Sequence, residues 1–331
     1  MPKQTDFKKE EELLMENPIK TATIIYNPVA TRVNKGFLEK LIGNLASRGI
    51  EAAAVESEWA GHVVPLVKKY NPLCDLIISV GGDGTLGECF KGFHGEKQYA
   101  LYAHLPLGTG NDAIKKFGLK DDPFKSLDMI LSGEIMDMDI PIVNGEPFSH
   151  ASAFGFLMNI PYDTSHSLKR RLGSVSYIVC AVKEFFKGSN RIHFKYTMNG
   201  DEIDDSAALI VISSTNNLVG MDIYGDVKFD DGLFEVLFLR RFTLVFLIRL
   251  LSDWRKGCLD FAHLGDEIKI FSTDDIKISF NNDKKHFDLC NDGDKFPLGN
   301  GDLTLRYKID GKIKMLLPAE SKSTKKTESG V

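Results

Sequence analysis

The first 140 residues alternate between short apolar runs and segments in which apolar residues repeat with helical spacing. The apolar runs lie at residues 22–26, 51–55, 75–80 and 99–106. The segments between them place apolar side chains at i, i+3, i+4 and i+7, which is one face of a helix. Apolar strands that alternate with helices are typical of a parallel sheet covered on both faces. The sequence therefore predicts an N-terminal α/β domain.

The pattern changes after about residue 139. Asn144-Gly145 and Asn199-Gly200 are typical of type I′ hairpin turns, and each lies between apolar runs. Strand patterns follow at residues 209–213, 233–239, 268–271, 276–280 and 303–309. We therefore predict an antiparallel β domain for this half. The predicted division is an α/β domain at 18–139, a β domain at 140–311, and tails at 1–17 and 319–331.

The composition indicates the cellular compartment of the protein and limits the classes of its binding partners. The chain has 331 residues and a formal net charge of −5, which argues against a protein that coats nucleic acid. Its five cysteines show neither zinc nor disulfide spacing, as expected of reduced thiols in the cytoplasm. Residues 1–17 lack a secretory signal, and the longest apolar run, 242–251, is too short to span a bilayer. We expect a cytoplasmic protein without a nucleic-acid partner, and a homodimer is compatible with the sequence.

The strongest functional signal is Gly81-Gly82-Asp83-Gly84-Thr85, which follows an apolar strand and opens a helix pattern. Glycines let the backbone approach a ligand closely, and a helix N-terminus attracts an anion. A carboxylate beside phosphates suggests a bridging Mg²⁺ ion. The Walker A and dinucleotide-binding spacings are both absent from this loop. The alternative is a tight strand–helix turn in which Asp83 caps the helix.

Small polar residues also follow two other strands. One loop holds Gly108, Thr109, Asn111 and Asp112, and the other holds Asn27, Pro28, Thr31 and Arg32. Each loop alone is compatible with an ordinary connection, with a capping side chain in the first and a solvated arginine in the second. Open α/β sheets bind ligands at the carboxyl ends of their strands. The three loops together therefore predict a triphosphate site.

These motifs, in this order, resemble the diacylglycerol kinase catalytic-domain family, which includes bacterial soluble lipid kinases and the sphingosine and ceramide kinases. NAD kinases share the glycine motif, so the later Gly108-Thr109 and Asn111-Asp112 elements favour the lipid kinases. The resemblance covers roughly residues 20–317. It implies an NAD kinase/diacylglycerol kinase-like α/β nucleotide-binding domain followed by an antiparallel β-sandwich domain for lipid. Residues 312–318 are expected to return to the first domain.

The resemblance also implies roles for single residues. Asp83 and Asp112 are expected to organise the catalytic Mg²⁺. A structural Mg²⁺ would bind the carboxylate of Asp231 and the carbonyl groups of Lys228 and Leu233, a plain hairpin turn being the alternative. The residues expected to contact ATP are Asn27, Pro28, Thr31, Arg32, Ser57, Gly81, Gly82, Asp83, Gly84, Thr85, Gly87, Gly108, Thr109, Asn111 and Asp112.

The expected catalytic base is Asp294. The family's Asp-Gly-Glu motif corresponds here to Asp292-Gly293-Asp294, so the carboxylate is kept on a side chain one methylene shorter. A simple turn at this position is the alternative. Thr31 and Gly87 also depart from the family pattern, since glycine and asparagine are common at these positions.

The resemblance implies an ATP- and Mg²⁺-dependent enzyme of lipid metabolism that phosphorylates diacylglycerol or a similar lipid alcohol to phosphatidic acid or the analogous lipid phosphate. Such an enzyme is expected to associate peripherally with the inner face of the membrane. Candidate contacts are the basic residues 169–171 and the run 242–251, although such a run is also typical of a core. The alternatives are a sphingoid-base or NAD kinase, or a catalytically weak regulator that binds nucleotide or lipid.

Overall fold

The computed structural model describes most of the chain between Ile19 and Ala319. The described residues are 19–30, 32–108, 116–155, 191–215, 217–218, 221–222, 227–241, 243, 252, 267–281, 288–297 and 302–319. Their helices are α1 (Lys35–Ala46), α2 (Val63–Tyr70), α3 (Asp83–Phe93) and α4 (Pro123–Leu131). Their strands are β1 (Thr21–Tyr26), β2 (Glu51–Glu56), β3 (Leu76–Gly81), β4 (Leu101–Pro106), β5 (Glu134–Val143), β6 (Glu146–Pro147), β7 (Ala151–Gly155), β8 (Ile192–Met198), β9 (Asp201–Ala207), β10 (Leu209–Ser213), β11 (Asn217–Leu218), β12 (Met221–Asp222), β13 (Phe234–Leu239), β14 (Ile268–Thr273), β15 (Asp275–Asn281), β16 (Asp288–Asn291), β17 (Asp294–Pro297) and β18 (Asp302–Leu317).

The first four strands form a parallel sheet in the order β2-β1-β3-β4. Every residue of β3 and β4 is buried, as the apolar runs predict. Two of the described helices begin at a capping side chain: Asn34 accepts a hydrogen bond from the backbone N–H of Phe37, and Asp122 accepts one from that of Phe124, each at 2.9 Å. This part of the chain has its own apolar core.

The second half is a sandwich of two sheets. One is the antiparallel sheet β14-β13-β10-β7-β16-β17, and the other contains β18, β15, β8 and β9. Aromatic rings from both sheets meet between them, with centroid distances of 5.3 Å for Phe154 and Phe280 and 5.0 Å for Phe194 and Phe238. The predicted α/β domain and antiparallel β-sandwich are thus confirmed.

The last strand, β18, connects the two halves. Its first part pairs with β15 in the sandwich, whereas Met315, near its end, lies in parallel register with Tyr102 of β4. Strand β5 runs antiparallel to β18 over most of its length. A ten-stranded sheet therefore continues from the parallel strands into the sandwich.

The hairpin turns have the backbone geometry that their dipeptides predict. Asn144 and Asn199 have φ angles of 49° and 55°, and each is followed by a glycine with positive φ, as a type I′ turn requires. Asp292, with φ of 50°, and Gly293 form a third turn of this kind, between β16 and β17. This third hairpin carries the predicted base.

Candidate functional site

The carboxyl ends of the four parallel strands lie side by side. The backbone N–H of Asn27 donates to the Val80 carbonyl at 3.0 Å, and that of Ser57 donates to the Tyr26 carbonyl at 2.9 Å. Next along the edge, the Leu107 N–H donates to the Gly81 carbonyl at 2.6 Å. The segments that follow β1, β2, β3 and β4 thus begin at one edge of the sheet.

The first two glycines of the loop are closely packed. A Cβ atom at Gly81 would lie 2.2 Å from Oγ1 of Thr85, and one at Gly82 would lie 3.3 Å from Cα of Gly108. Gly82 occupies the N-cap position of α3, and Asp83 is the first residue of the helix. The alternative in which Asp83 itself is the N-cap is therefore wrong. Because glycine has no capping side chain, the first amides of α3 suit an anion at this edge.

The segment after β2 is fixed to α3. The carboxylate of Glu88 accepts hydrogen bonds from the backbone N–H groups of Gly61 at 3.0 Å and Val63 at 3.1 Å. Within the segment, the rings of Trp59 and His62 stack with their centroids 3.7 Å apart, although 59% of Trp59 is exposed. Ser57, the predicted ATP contact in this segment, is buried at its start.

Arg32 has protein partners. Its guanidinium donates to the carbonyl of Asp121 at 2.7 Å and to that of Pro106 at 3.2 Å. The side chain therefore ties the loop after β1 to the end of β4 and to the start of α4. Its predicted contact with phosphate stays a prediction.

Asp292 holds the β16–β17 hairpin in place. Its carboxylate accepts hydrogen bonds from the backbone N–H groups of Ser149 at 2.6 Å, His150 at 2.8 Å and Ala151 at 3.1 Å, and from Oγ of Ser149 at 3.0 Å. Burial raises the pKa of this carboxyl group, and the four hydrogen bonds act in the opposite direction. The hairpin is thereby fixed to the start of β7.

The same carboxylate lies against α3. A Cβ atom at Gly87 would be 2.8 Å from Oδ2 of Asp292, so only glycine fits at position 87 without a shift. Asp294, two residues beyond Asp292, is exposed at the first position of β17. The hairpin with the predicted base is thus packed against the helix that follows the glycine loop.

The sequence did not single out Lys116, which is 4% exposed beside this hairpin. Its ammonium group donates to the carbonyl of Ser149 and, at 3.2 Å, to Oγ of Ser214. Burial lowers the pKa of Lys116 to about 8, while the nearby carboxylates of Asp292 and Asp83 act in the opposite direction. The only local signal is a lysine beside an apolar Phe117, which is also typical of an exposed helix position.

The turn at residues 229–233 is held by an ion pair. The backbone N–H of Gly232 donates to Oδ2 of Asp139 at 2.7 Å, and the Lys312 ammonium lies 3.1 Å from Oδ1 of the same residue. Lys312 also donates to the carbonyl of Asp230 at 2.9 Å. Oδ1 of Asp231 accepts from the N–H of Leu233 at 3.1 Å. The ammonium group of Lys312 therefore places a positive charge at this turn.

No observation tests the structural Mg²⁺ predicted for Asp231, Lys228 and Leu233. Among the described residues, no three His, Cys, Asp or Glu side chains form a group that could hold a metal. The carboxylates of Asp139 and Asp231 both lie at this turn, where the ammonium of Lys312 pairs with Asp139. The binding of Mg²⁺ at this turn stays a prediction from the resemblance.

Several predicted sites lie outside the described residues. They are Thr31, Thr109, Asn111 and Asp112, the basic residues 169–171, and the run 242–251 apart from Thr243. In the part of the chain that the structure describes, no helix is long and apolar enough to cross a membrane.

Comparison with known proteins agrees with this arrangement. Residues 21–143 match the family model of the diacylglycerol kinase catalytic domain, and residues 162–309 match that of the YegS C-terminal NAD kinase beta sandwich-like domain. The diacylglycerol kinase of Bacillus subtilis is 27% identical over 258 residues, which are 77% of this chain and 84% of that protein. That of Staphylococcus carnosus is 26% identical over 241 residues, which are 72% of this chain and 78% of that protein.

A solved structure shows the same fold. The crystal structure of a diacylglycerol kinase from Bacillus anthracis superposes with a TM-score of 0.69 and 19% identity, covering 91% of this chain and 98% of that one. The two family models match consecutive parts of the chain, in the order and over the sheets described above. The chain belongs to the diacylglycerol kinase catalytic-domain family, and it is a kinase.

Proposed function

We propose that this kinase transfers the γ-phosphoryl group of ATP to the hydroxyl of diacylglycerol or a similar lipid alcohol, giving phosphatidic acid or the analogous lipid phosphate. The observation that carries the proposal is the contact of Asp292 with Gly87. This contact puts the hairpin that bears Asp294 on the helix that begins at the glycine loop. A phosphate site and a carboxylate base are then near one another.

ATP would bind at the shared edge of the four parallel strands. The close-packed Gly81, Gly82 and Gly108 let its phosphates approach the backbone, and the N-terminus of α3 favours their charge. Asp83, in the first turn of α3, would hold Mg²⁺ together with Asp112. Bound there, Mg²⁺ would neutralise the charge on the phosphates. This fit supports ATP as the phosphoryl donor.

Asp294 would accept the proton of the lipid hydroxyl. Phosphoryl transfer needs mainly positioning and charge neutralisation, and a carboxylate base completes it. Asp294 is exposed, whereas its neighbour Asp292 is saturated with four hydrogen bonds, so Asp294 is the residue free to reach a substrate. Its side chain is one methylene shorter than glutamate, and a misplacement of about 1 Å can cost roughly a hundredfold in rate. The fixed hairpin therefore matters for the reaction.

The substrate assignment is supported by the names of the two relatives above, both of which are diacylglycerol kinases. Because diacylglycerol is held in a bilayer, we propose peripheral association with the inner face of the membrane. Residues 169–171 and 242–251 stay the predicted contacts.

The assay is the transfer of label from ATP, in the presence of Mg²⁺, to mixed micelles of diacylglycerol, ceramide, sphingosine and monoacylglycerol, with NAD as a separate acceptor. We expect one labelled lipid, diacylglycerol first. Asp294→Asn should lower kcat by about a hundredfold or more, and Asp294→Glu should retain or raise it. Asp204→Asn, an exposed aspartate on β9, is the matched control.

Labelled NAD without labelled lipid would contradict the lipid assignment in favour of an NAD kinase. ATP binding without transfer to any acceptor would favour a regulator. Wild-type rates in Asp294→Asn would show that another group takes the proton.

A further inference from the structure

Lys116 is a buried cation, and protein stability alone does not explain a charged side chain at this position. Its ammonium lies 5.9 Å from the ring centroid of Phe90, 5.6 Å from that of Phe117 and 5.5 Å from that of Phe229. Such contacts are favourable, but burying a charge carries a desolvation cost that an apolar side chain of similar volume avoids. An aromatic surrounding of this kind would also accept methionine. The charge therefore calls for another role.

The contacts of Lys116 lead to the hairpin that carries Asp294. The ammonium donates to the carbonyl of Ser149, and the N–H and Oγ of Ser149 donate to Asp292. The carboxylate of Asp292 in turn lies against Gly87 of α3. One lysine thus fixes the residue that anchors the hairpin.

The position of Lys116 in the chain strengthens this link. It lies ten residues after Pro106, the last residue of β4, and its ammonium group lies near the rings of Phe90 of α3 and Phe229 of the 229–233 turn. Ser149 precedes β7 in the sandwich. The contact between Lys116 and Ser149 therefore joins the nucleotide-binding half to the half that holds the predicted base.

We propose that Lys116 is a positioning residue for phosphoryl transfer, which sets the place of the β16–β17 hairpin, and hence of Asp294, relative to the first turn of α3. The inference rests on the proposed function of Asp294. The hydrogen bonds of Lys116 go to Ser149 and Ser214 rather than to Asp294. Its effect is expected in the catalytic step rather than in the binding of ATP.

The first test is Lys116→Met. Because Oγ of Ser214 also donates to the Ser149 carbonyl, at 2.9 Å, that carbonyl keeps a partner in the variant. We therefore expect an unchanged or higher Tm, a kcat lower by about 10- to 100-fold, and a KM for ATP within about threefold of wild type. Lys314→Met, which removes a half-buried ion pair between Lys314 of β18 and Asp137 of β5, is the control and should leave all three values unchanged.

The second test is a double-mutant cycle with Gly87→Ala. The added methyl group meets Asp292 and displaces the same hairpin from the other side. If Lys116 acts through the hairpin, the two kcat losses are strongly non-additive. Additive losses, or a kcat loss in Lys116→Met that follows a fall in Tm, would overturn the proposal.

The third test does not depend on the reaction. Amide hydrogen exchange at residues 288–297 should be faster in Lys116→Met than in wild type and unchanged in Lys314→Met. Unchanged exchange in this hairpin would overturn the inference. Failure of the wild-type enzyme to phosphorylate any lipid would instead contradict the proposed function.

If Lys116→Met does not fold, Ser214→Ala replaces it. This variant removes the hydroxyl that contacts both Lys116 and the Ser149 carbonyl. It should lower kcat by a smaller factor than Lys116→Met does, and it should speed amide hydrogen exchange in the same hairpin. Wild-type kcat and exchange would overturn the proposal.

Discussion

Two aspartates in this molecule are stabilised in different ways. Asp292 accepts three backbone N–H groups and one hydroxyl, and Ser149 lies between it and the ammonium group of Lys116. Asp139, only 4% exposed, accepts one backbone N–H group and relies on an ion pair with Lys312. Burial raises the pKa of both carboxyl groups.

The difference separates the roles of the two lysines. The charge of Asp139 is balanced by Lys312, so loss of that lysine is expected to destabilise the fold. Asp292 keeps its hydrogen bonds without Lys116, so loss of Lys116 is expected to affect geometry rather than stability. The role of a lysine near a carboxylate can therefore be assigned only after the other hydrogen-bond partners of that carboxylate have been counted.

The largest effect is expected from Asp292→Ala. The substitution removes the acceptor of four donors, several of them buried, and each unpaired donor costs about 1–3 kcal/mol. We expect the free energy of unfolding to fall by roughly 3–5 kcal/mol and the kinase activity to be lost. Urea denaturation and the label-transfer assay measure the two effects. Wild-type stability would show that the hydrogen bonds to Asp292 contribute little.

A smaller and more selective effect is expected from Gly87→Ala. Alanine suits a helix, but its Cβ would lie 2.8 Å from Oδ2 of Asp292, so the hairpin must shift. We expect kcat to fall by about 10- to 100-fold with little change in Tm. Gly43→Ala in α1, where a Cβ meets nothing within 4 Å, is the matched control. An active Gly87→Ala enzyme would remove the proposed link between the hairpin and catalysis.

Lys312→Met tests the ion pair that stabilises Asp139. It leaves Asp139 without its cation, but Lys312 is 46% exposed, so solvent screens part of the interaction. We expect the free energy of unfolding to fall by about 1–2 kcal/mol, with kcat retained. Lys314→Met, on the same strand, should change stability by less than about 0.5 kcal/mol.

Removal of divalent ions with EDTA tests the Mg²⁺ site that is predicted at the same turn. Because the resemblance predicts a structural Mg²⁺ at Asp231, we expect EDTA to lower the Tm of the wild-type protein, Mg²⁺ to restore it, and neither to change the Tm of Asp231→Asn. An unchanged Tm of the wild-type protein in EDTA would contradict the predicted structural Mg²⁺.

The smallest effect at neutral pH is expected at His104, which is buried in β4. Burial lowers its pKa to about 3, and Nδ1 lies 2.7 Å from Oγ of Ser79. Between about pH 6.5 and pH 3 the unfolded chain binds a proton that the native protein does not, so stability falls as the pH falls through this window. The loss is at most about 1.4 kcal/mol per pH unit.

Denaturant melts between pH 7 and pH 4 measure this loss. His104→Gln has no such titration and should lose less stability on acidification than wild type. His150, whose pKa is also lowered to about 3 by burial, is common to both proteins and cancels in the difference. Equal pH dependence in the two proteins would show that His104 titrates normally in the fold.

The sequence predicted the parts of the molecule that depend on local patterns. The apolar runs of β1, β3 and β4 cannot be exposed, and Asn144-Gly145 and Asn199-Gly200 adopt the positive φ angles that few other dipeptides tolerate. The glycine loop after β3 was visible for the same reason. These features are encoded within a few residues of each other.

The sequence did not reveal the contacts between distant segments. Gly87 seemed only a departure from the family pattern, and its partner Asp292 lies more than 200 positions away. Lys116 resembles any helix lysine until the rings of Phe90 and Phe229 enclose it. The hydrogen bonds of Arg32 to the carbonyl groups of Pro106 and Asp121 are likewise set by the packing of β4 against α4. Such pairings depend on tertiary structure, which no local spacing records.

The most direct measurement of the central claim is a crystal structure with a non-hydrolysable ATP analogue and Mg²⁺. We expect the γ-phosphate at the first turn of α3, with Asp292 against Gly87 and the Asp294 carboxylate close enough for one lipid hydroxyl to bridge it and the γ-phosphorus. A γ-phosphate that lies away from the β16–β17 hairpin, with Asp294 facing solvent, would contradict the account.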